Sequence, residues 1–214
     1  NSEESWISNA KNEHKRMPVK AIIAKEEGIN CFHPNYTLEH SEHWASSNGL
    51  INRTENDILF AISFLLMNSS IIKIIDPFFE DKQLLQRIFD AINNSAYKTN
   101  MERKVELHFK IVNDAENKSL KSRTSYLKNK FDNFKTYGIE FEIFLWNEET
   151  SKRIHNRYIL SDLSGLQFGD SITVSPNLGE QDRVSILNDN DLKALTNDFS
   201  KTSSIHKLVS NFKI

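Results

Sequence analysis

Residues 154–171 read IHNRYILSDLSGLQFGDS, and the fold follows from whether this run is a helix or a strand pair. Alternation along a strand then puts His155, Arg157 and Ile159 on one face and Ile154, Tyr158 and Leu160 on the other. Gly165 is expected to turn the chain, and residues 166–172 to return as an antiparallel neighbour.

Outward from this pair, strands and helices alternate. Upstream, residues 139–146 form a strand with Ile139, Phe141, Ile143 and Leu145 on one face, and residues 119–137 a helix stopped by Gly138. Residues 105–112 alternate Val105, Leu107, Phe109 and Ile111 with Glu106, His108 and Lys110, the pattern of a strand near a sheet edge with His108 facing solvent. Earlier still come a helix from about residue 81 to 93, the β-branched run IIKIID at 71–76 as an interior parallel strand, and a helix through about residue 67 capped by Thr54 and Asp57. Residues 19–24 and 29–32 read as a hairpin about a turn at 25–28, ended by Pro34. Downstream, 183–188 is a strand, and 192–199 and 205–212 are expected to be closing helices. The predicted class is α/β, one mixed β-sheet with helices on both faces. Residues 1–16 are a polar lead-in or linker end, followed by a single domain over 17–214; no internal repeat is found.

At 214 residues the chain is long enough to bury a substantial core, and 38% hydrophobic with 26% charged residues is the balance of a soluble globule. The net charge of −2 supplies no global attraction for nucleic acid or anionic lipid, so such binding requires a local patch. Lys121, Arg123, Lys128, Lys130 and Lys135 on the 119–137 helix are either that patch or a solvated face. One cysteine, Cys31, excludes an intrachain disulfide and fits a reducing, cytoplasmic setting; it is read as a buried, inert thiol. No run approaches the roughly eighteen apolar residues that span a bilayer. The first residue is Asn and no signal-peptide pattern follows, so further domains or partner proteins outside this chain are expected to be possible. His33, His40 and His43 invite a zinc reading, but no cysteine or acidic ligand set completes a site.

The chemistry concentrates at His155 and Arg157. Neutral imidazole is a competent nucleophile or base near neutral pH, and a forked guanidinium suits the oxygens of a phosphate ester. Together they can attack phosphorus and hold the charge that develops there, without metal or cofactor. The ordinary alternative is a chance His-x-Arg on a strand. Asp76 ends the 71–76 strand, where ligands gather in open α/β sheets, and is a candidate to orient His155 or pair with Arg157; the competing role is turn or helix capping.

With His155, Arg157, Asp162 and Gly169 the chain resembles the phospholipase D superfamily, whose motif is H-x-K-x-x-x-x-D followed after six residues by G-S-x-N. Arg157 stands at the lysine, Asp170 and Ile172 at the Ser and Asn, and the motif occurs once rather than twice. It looks more like the Arg-bearing branch, which includes small bacterial defence-associated domains and the lipid-binding C-terminal domain of MIT-domain proteins. The resemblance implies a phospholipase D-like half-unit and a catalytic set of His155, Arg157 and Asp162, with Asp162 ordering the strand turn rather than serving as the acid. Gly169 would let a phosphate approach the backbone, and Ser171 would offer a hydroxyl. Family chemistry uses two histidines, so a single motif implies a homodimer: a metal-independent phosphodiesterase, most plausibly a nuclease, working through a phosphohistidine. Two alternatives stay open: a non-catalytic module binding the phosphate of lipid headgroups or nucleic acid, and a partner-docking domain of a larger protein.

Overall fold

The structure, a computed structural model, describes residues 49–79, 81–99, 102–111, 120–147 and 154–214, with Ser8, Asn12, Arg16, Ile22–Ala24 and Phe32–Pro34 of the preceding part. Contacts divide the chain into two compact units, Asn1–Ser46 and Ser47–Ile214, so the larger unit starts well after residue 17. In the smaller unit, β1 (Ile22–Ala24) pairs with β2 (Phe32–Pro34) in parallel. The expected hairpin would have made them antiparallel. Cys31, His40 and His43 lie outside the described residues.

The larger unit is α/β. Its elements are β3 (Gly49–Asn52), α1 (Glu55–Asn68), β4 (Ile71–Ile75), α2 (Lys82–Thr99), β5 (Lys104–Lys110), α3 (Leu120–Phe131) with a 3-10 turn over Asp132–Tyr137, β6 (Glu140–Asn147), β7 (Arg157–Ser161), β8 (Gly165–Phe168), β9 (Gln181–Ile186), α4 (Asp189–Asp198) and β10 (Lys207–Lys213). They build one eight-stranded sheet in the order β10-β6-β5-β4-β7-β8-β9-β3. β4, β5 and β6 run parallel and the remaining pairs are antiparallel, giving the mixed sheet.

Local chemistry sets the element ends. The Thr54 side chain accepts from the Asp57 amide at the start of α1, Asn188 does the same for Asp191 at α4, and Gly138, with φ of 66°, ends the 3-10 turn in the left-handed region. The crossovers β4–α2–β5 and β5–α3–β6 move along the sheet in one direction, which lays both helices on one face. That face holds the main core: Ile72, Ile74, Val105, Leu107, Phe109, Ile143 and Ile159 beneath Leu65, Leu84, Ile88, Phe89, Leu127 and Phe131. The opposite face carries a smaller cluster, Ile75, Phe144, Trp146, Tyr158, Leu160 and Phe199, against which Leu192 and Leu195 of α4 pack. Helices therefore cover both faces.

Three expectations are corrected. β5 is interior, between β4 and β6, so Glu106 and His108 are buried instead of wet, His108 being 1% exposed. Residues 205–212 contain β10, not a helix: its exposure alternates residue by residue, and pairing with the open edge of β6 outweighs local helical preference. Gly165 is the first residue of β8 rather than the turn; a Cβ there would come within 2.8 Å of Leu187 and 3.0 Å of Leu160 and Leu192. β3, which the sequence pattern did not reveal, closes the far edge against β9.

The polar row on the second face is self-contained. Lys73, Glu106 and Glu142 are register partners on three adjacent strands. Lys73 lies 3.3 Å from Glu106, and Lys104 lies 2.9 Å from Glu106 and 3.0 Å from Glu142. Burial alone would raise the Glu106 carboxyl, but hydrogen bonds from His108 and Lys104 and the charge of Lys73 hold it at about 2. Burial pushes the His108 imidazole down. Trp146 Nε1 donates to His108 Nδ1 at 2.9 Å, which leaves the proton on Nε2, 3.2 Å from Glu106. The ring stacks on Phe144, with centroids 4.5 Å apart.

Candidate functional site

β7 delivers the two candidate residues to one end of the sheet. It begins at Arg157, so His155 precedes the strand by two residues and is exposed. The expected alternation holds in the core: Ile159 joins the main cluster, while Ile154, Tyr158 and Leu160 join the smaller one. Arg157 therefore projects on the main-core face, half-buried. Extending the register by one residue from Ile75↔His108 and Ile75↔Tyr158 puts Phe109, Asp76 and Arg157 in one row, at the carboxyl ends of β4 and β5.

The Arg157 guanidinium folds back on its own segment, Nη1 donating to the His155 carbonyl at 2.7 Å. Its Nε is buried without a hydrogen bond, and no ion pair joins Arg157 to a carboxylate among the described residues. The His155 ring makes no hydrogen bond among the described residues. A permanently charged fork held half out of water, with no counter-charge among the described residues, is a ready site for an anion.

Asp76 does not serve this pair. It is fully buried; Oδ1 accepts from the Phe78 amide at 2.9 Å, and Oδ2 accepts from the Ser171 hydroxyl at 3.1 Å and the Ile172 amide at 3.0 Å. It thus forms a turn and ties the segment after β8 to the end of β4, close to the capping role weighed against orientation. Asp81 does likewise for the Leu84 and Val174 amides. The Ser171 hydroxyl is occupied in donating to Asp76.

Gly169 is exposed, but its lack of a side chain serves the fold: a Cβ would meet Asp182 Oδ1 at 2.8 Å. That oxygen accepts from the Asp170 and Arg183 amides. The two residues that differ from the motif this stretch resembles are placed by local contacts. Asp170, at the Ser position, pairs with Arg53 at 2.7 Å, and Ile172, at the Asn position, is buried in the main core.

Asp162 stands at the other end of β7, about 17 Å of strand from Arg157. Its carboxylate accepts from the Ser70 amide at 3.0 Å and the Ile71 amide at 3.3 Å, and it faces the Arg103 guanidinium electrostatically. Arg103 in turn donates to the Met67 carbonyl at 2.8 Å and to that of Ser69, closing the carboxyl end of α1. Asp162 therefore locks α1 to β4. The Arg157 guanidinium meets the backbone carbonyl of His155, and Asp76 meets Ser171; Asp162 stands apart from both pairs.

Sequence reasoning missed Arg53, Asp182 and the Glu106–His108 row. Only the last carried a signal: Glu-x-His between two long helical crossovers belongs to an interior strand, whose polar residues must find one another. Among the described residues no three His, Cys, Asp or Glu side chains cluster as metal ligands, and no helix is long and apolar enough to cross a membrane. His33, the one described member of the histidine trio, sits in β2. No protein-family model and no curated protein matches the chain.

Proposed function

We propose that the larger unit binds a phosphodiester at His155 and Arg157 and cleaves it, without metal, when two copies pair as a homodimer of phospholipase D-like half-units. The observation that carries this reading is the half-buried Arg157 guanidinium, which meets no carboxylate among the described residues and donates to the backbone carbonyl of the exposed His155. Arg157 would grip two phosphate oxygens and hold the charge that builds in the transition state. A neutral His155 nitrogen would attack phosphorus, forming an N–P bond as the P–O bond to the leaving group breaks. The partner copy's imidazole would give that oxygen its proton, then take one from the water that releases the phosphohistidine. Asp162 is left holding the scaffold.

The test is hydrolysis of bis-p-nitrophenyl phosphate and of oligonucleotides in EDTA. His155→Ala is expected to lose at least about a thousandfold in rate, combining loss of the nucleophile and of the acid. Undiminished turnover by that variant overturns the mechanism. A second reading, binding without turnover, is favoured by one fact: nothing among the described residues orients the His155 ring. It predicts phosphate-ester binding that Arg157→Ala abolishes, with no hydrolysis by the parent protein.

A further inference from the structure

On α3, Arg123, Tyr126 and Lys130 stand at i, i+3 and i+7, which puts them on one stripe of the helix. Tyr126 is 47% exposed, and cations flank its ring: Arg123 Cζ lies 5.5 Å and Lys130 Nζ 5.8 Å from the centroid. The helix also carries Lys121 and Lys128 and has no acidic residue, in a chain whose net charge is −2. The stripe adjoins the site already described. Arg123 also covers the ring of Phe109 at 6.0 Å, and Phe109 shares a sheet row and a face with Arg157, two strands or about 10 Å away.

We infer that this stripe is a docking surface for single-stranded nucleic acid, running from the His155–Arg157 site along α3. The inference rests on the phosphodiester reading and names its substrate class. Two features select this occupant. The cations match a polyanionic backbone over about 10 Å of helix axis, and an exposed aromatic ring between them is a platform on which a base can stack. A lipid surface fits less well: a helix lying in a bilayer interface presents its apolar side to lipid, whereas Leu127 and Phe131 are committed to the core of this one.

The experiment is fluorescence anisotropy of labelled oligo-dT and oligo-rU with the intact chain, beside flotation with phosphatidylserine-containing vesicles and melting curves for each variant. Tyr126→Ala is expected to weaken oligonucleotide binding roughly five- to a hundredfold, with Tyr126→Phe close to the parent protein because stacking needs only the ring. Arg123→Ala with Lys130→Ala is expected to weaken it at least about tenfold and to flatten the salt dependence. The Tyr126 changes are exposed and should leave melting unchanged, while Arg123 and Lys130 are half-buried over Phe109 and Phe131, so binding by the double variant is compared below its own melting range. Parent-like binding by Tyr126→Ala and by the double variant overturns the inference, as do equal affinity for duplex and single strand, or binding to vesicles without binding to oligonucleotide. The two readings fail separately: if the cleavage site is wrong but the surface right, His155→Ala changes nothing while Tyr126→Ala still loses binding. If the surface alone is wrong, bis-p-nitrophenyl phosphate is still cleaved and His155→Ala abolishes that cleavage.

Discussion

Glu106 and Glu142, in the middle of the sheet, each meet cations at close range, Lys73, Lys104 and Lys201 all lying within 3.3 Å of one of them. Arg157, at the end of the same sheet, meets no carboxylate among the described residues and leaves its buried Nε without a hydrogen bond. Both regions take charge out of water, the carboxylate row almost completely and Arg157 by half. In the middle that cost is offset by ion pairs and hydrogen bonds; at the end, among the described residues, it is offset only by the hydrogen bond to the His155 carbonyl. The difference separates charges that hold this fold from charges available to a ligand, and stability and binding should respond oppositely along the series.

The largest stability effect belongs to the buried row. Glu106→Gln leaves Lys73 and Lys104 short of a counter-charge and is expected to cost about 3 kcal/mol in a urea melt. Acid should act alike. The Glu106 carboxyl ordinarily titrates near 4.5 and is held at about 2, so its contribution is complete above 4.5 and disappears as pH falls toward 2, again about 3 kcal/mol. His108, pushed down by burial, adds to this loss as pH drops below the ordinary imidazole range. A flat stability profile between pH 5 and 2 would break the comparison.

Asp162 is the intermediate case, exposed yet bonded to two amides. Asp162→Ala is expected to cost about 2 kcal/mol, read by thermal melting, while the affinity of the folded protein for phosphate esters stays as it was. Arg157→Ala removes one internal hydrogen bond, so its cost should be about 1 kcal/mol or less, but calorimetric phosphate-ester binding should vanish. Smallest of all, His155→Ala should shift stability by less than about 0.5 kcal/mol, because the residue is exposed and its ring makes no hydrogen bond among the described residues. If Arg157→Ala proved as damaging to stability as Glu106→Gln, the guanidinium would be a structural charge and the proposed site would lose its basis.

How much of this was legible depends on the range of the forces involved. The faces of β7, the cap at Thr54 and the stop at Gly138 followed from periodicity and turn chemistry, because each is settled within about one turn or a few strand residues. The placement of β5 did not follow: alternation looks the same on a half-wet edge strand and on an interior strand whose polar face is internally paired. Which of the two it is depends on Lys73 and Glu142, each more than thirty residues distant. β10 was misread because its pairing partner, not its own propensity, makes it a strand. At the site, the spacing of His155 and Arg157 was visible and the turn role of Asp76 was one of two readings, whereas the roles of Gly169 and Asp162 were not visible.

By itself, then, the amino-acid order determined an alternating α/β chain, the buried side of most of its elements, and an imidazole two residues from a guanidinium. Only the tertiary structure decided which charges are satisfied. It brought Asp76 to the 171–172 segment, Asp162 to the amides at the start of β4, and Asp182 to Gly169, and it brought no carboxylate into range of Arg157 among the described residues. The reason is physical: a periodic pattern is a property of neighbours in sequence, but an ion pair or its absence is a property of distance in space, and that distance is set by the order in which the strands assemble.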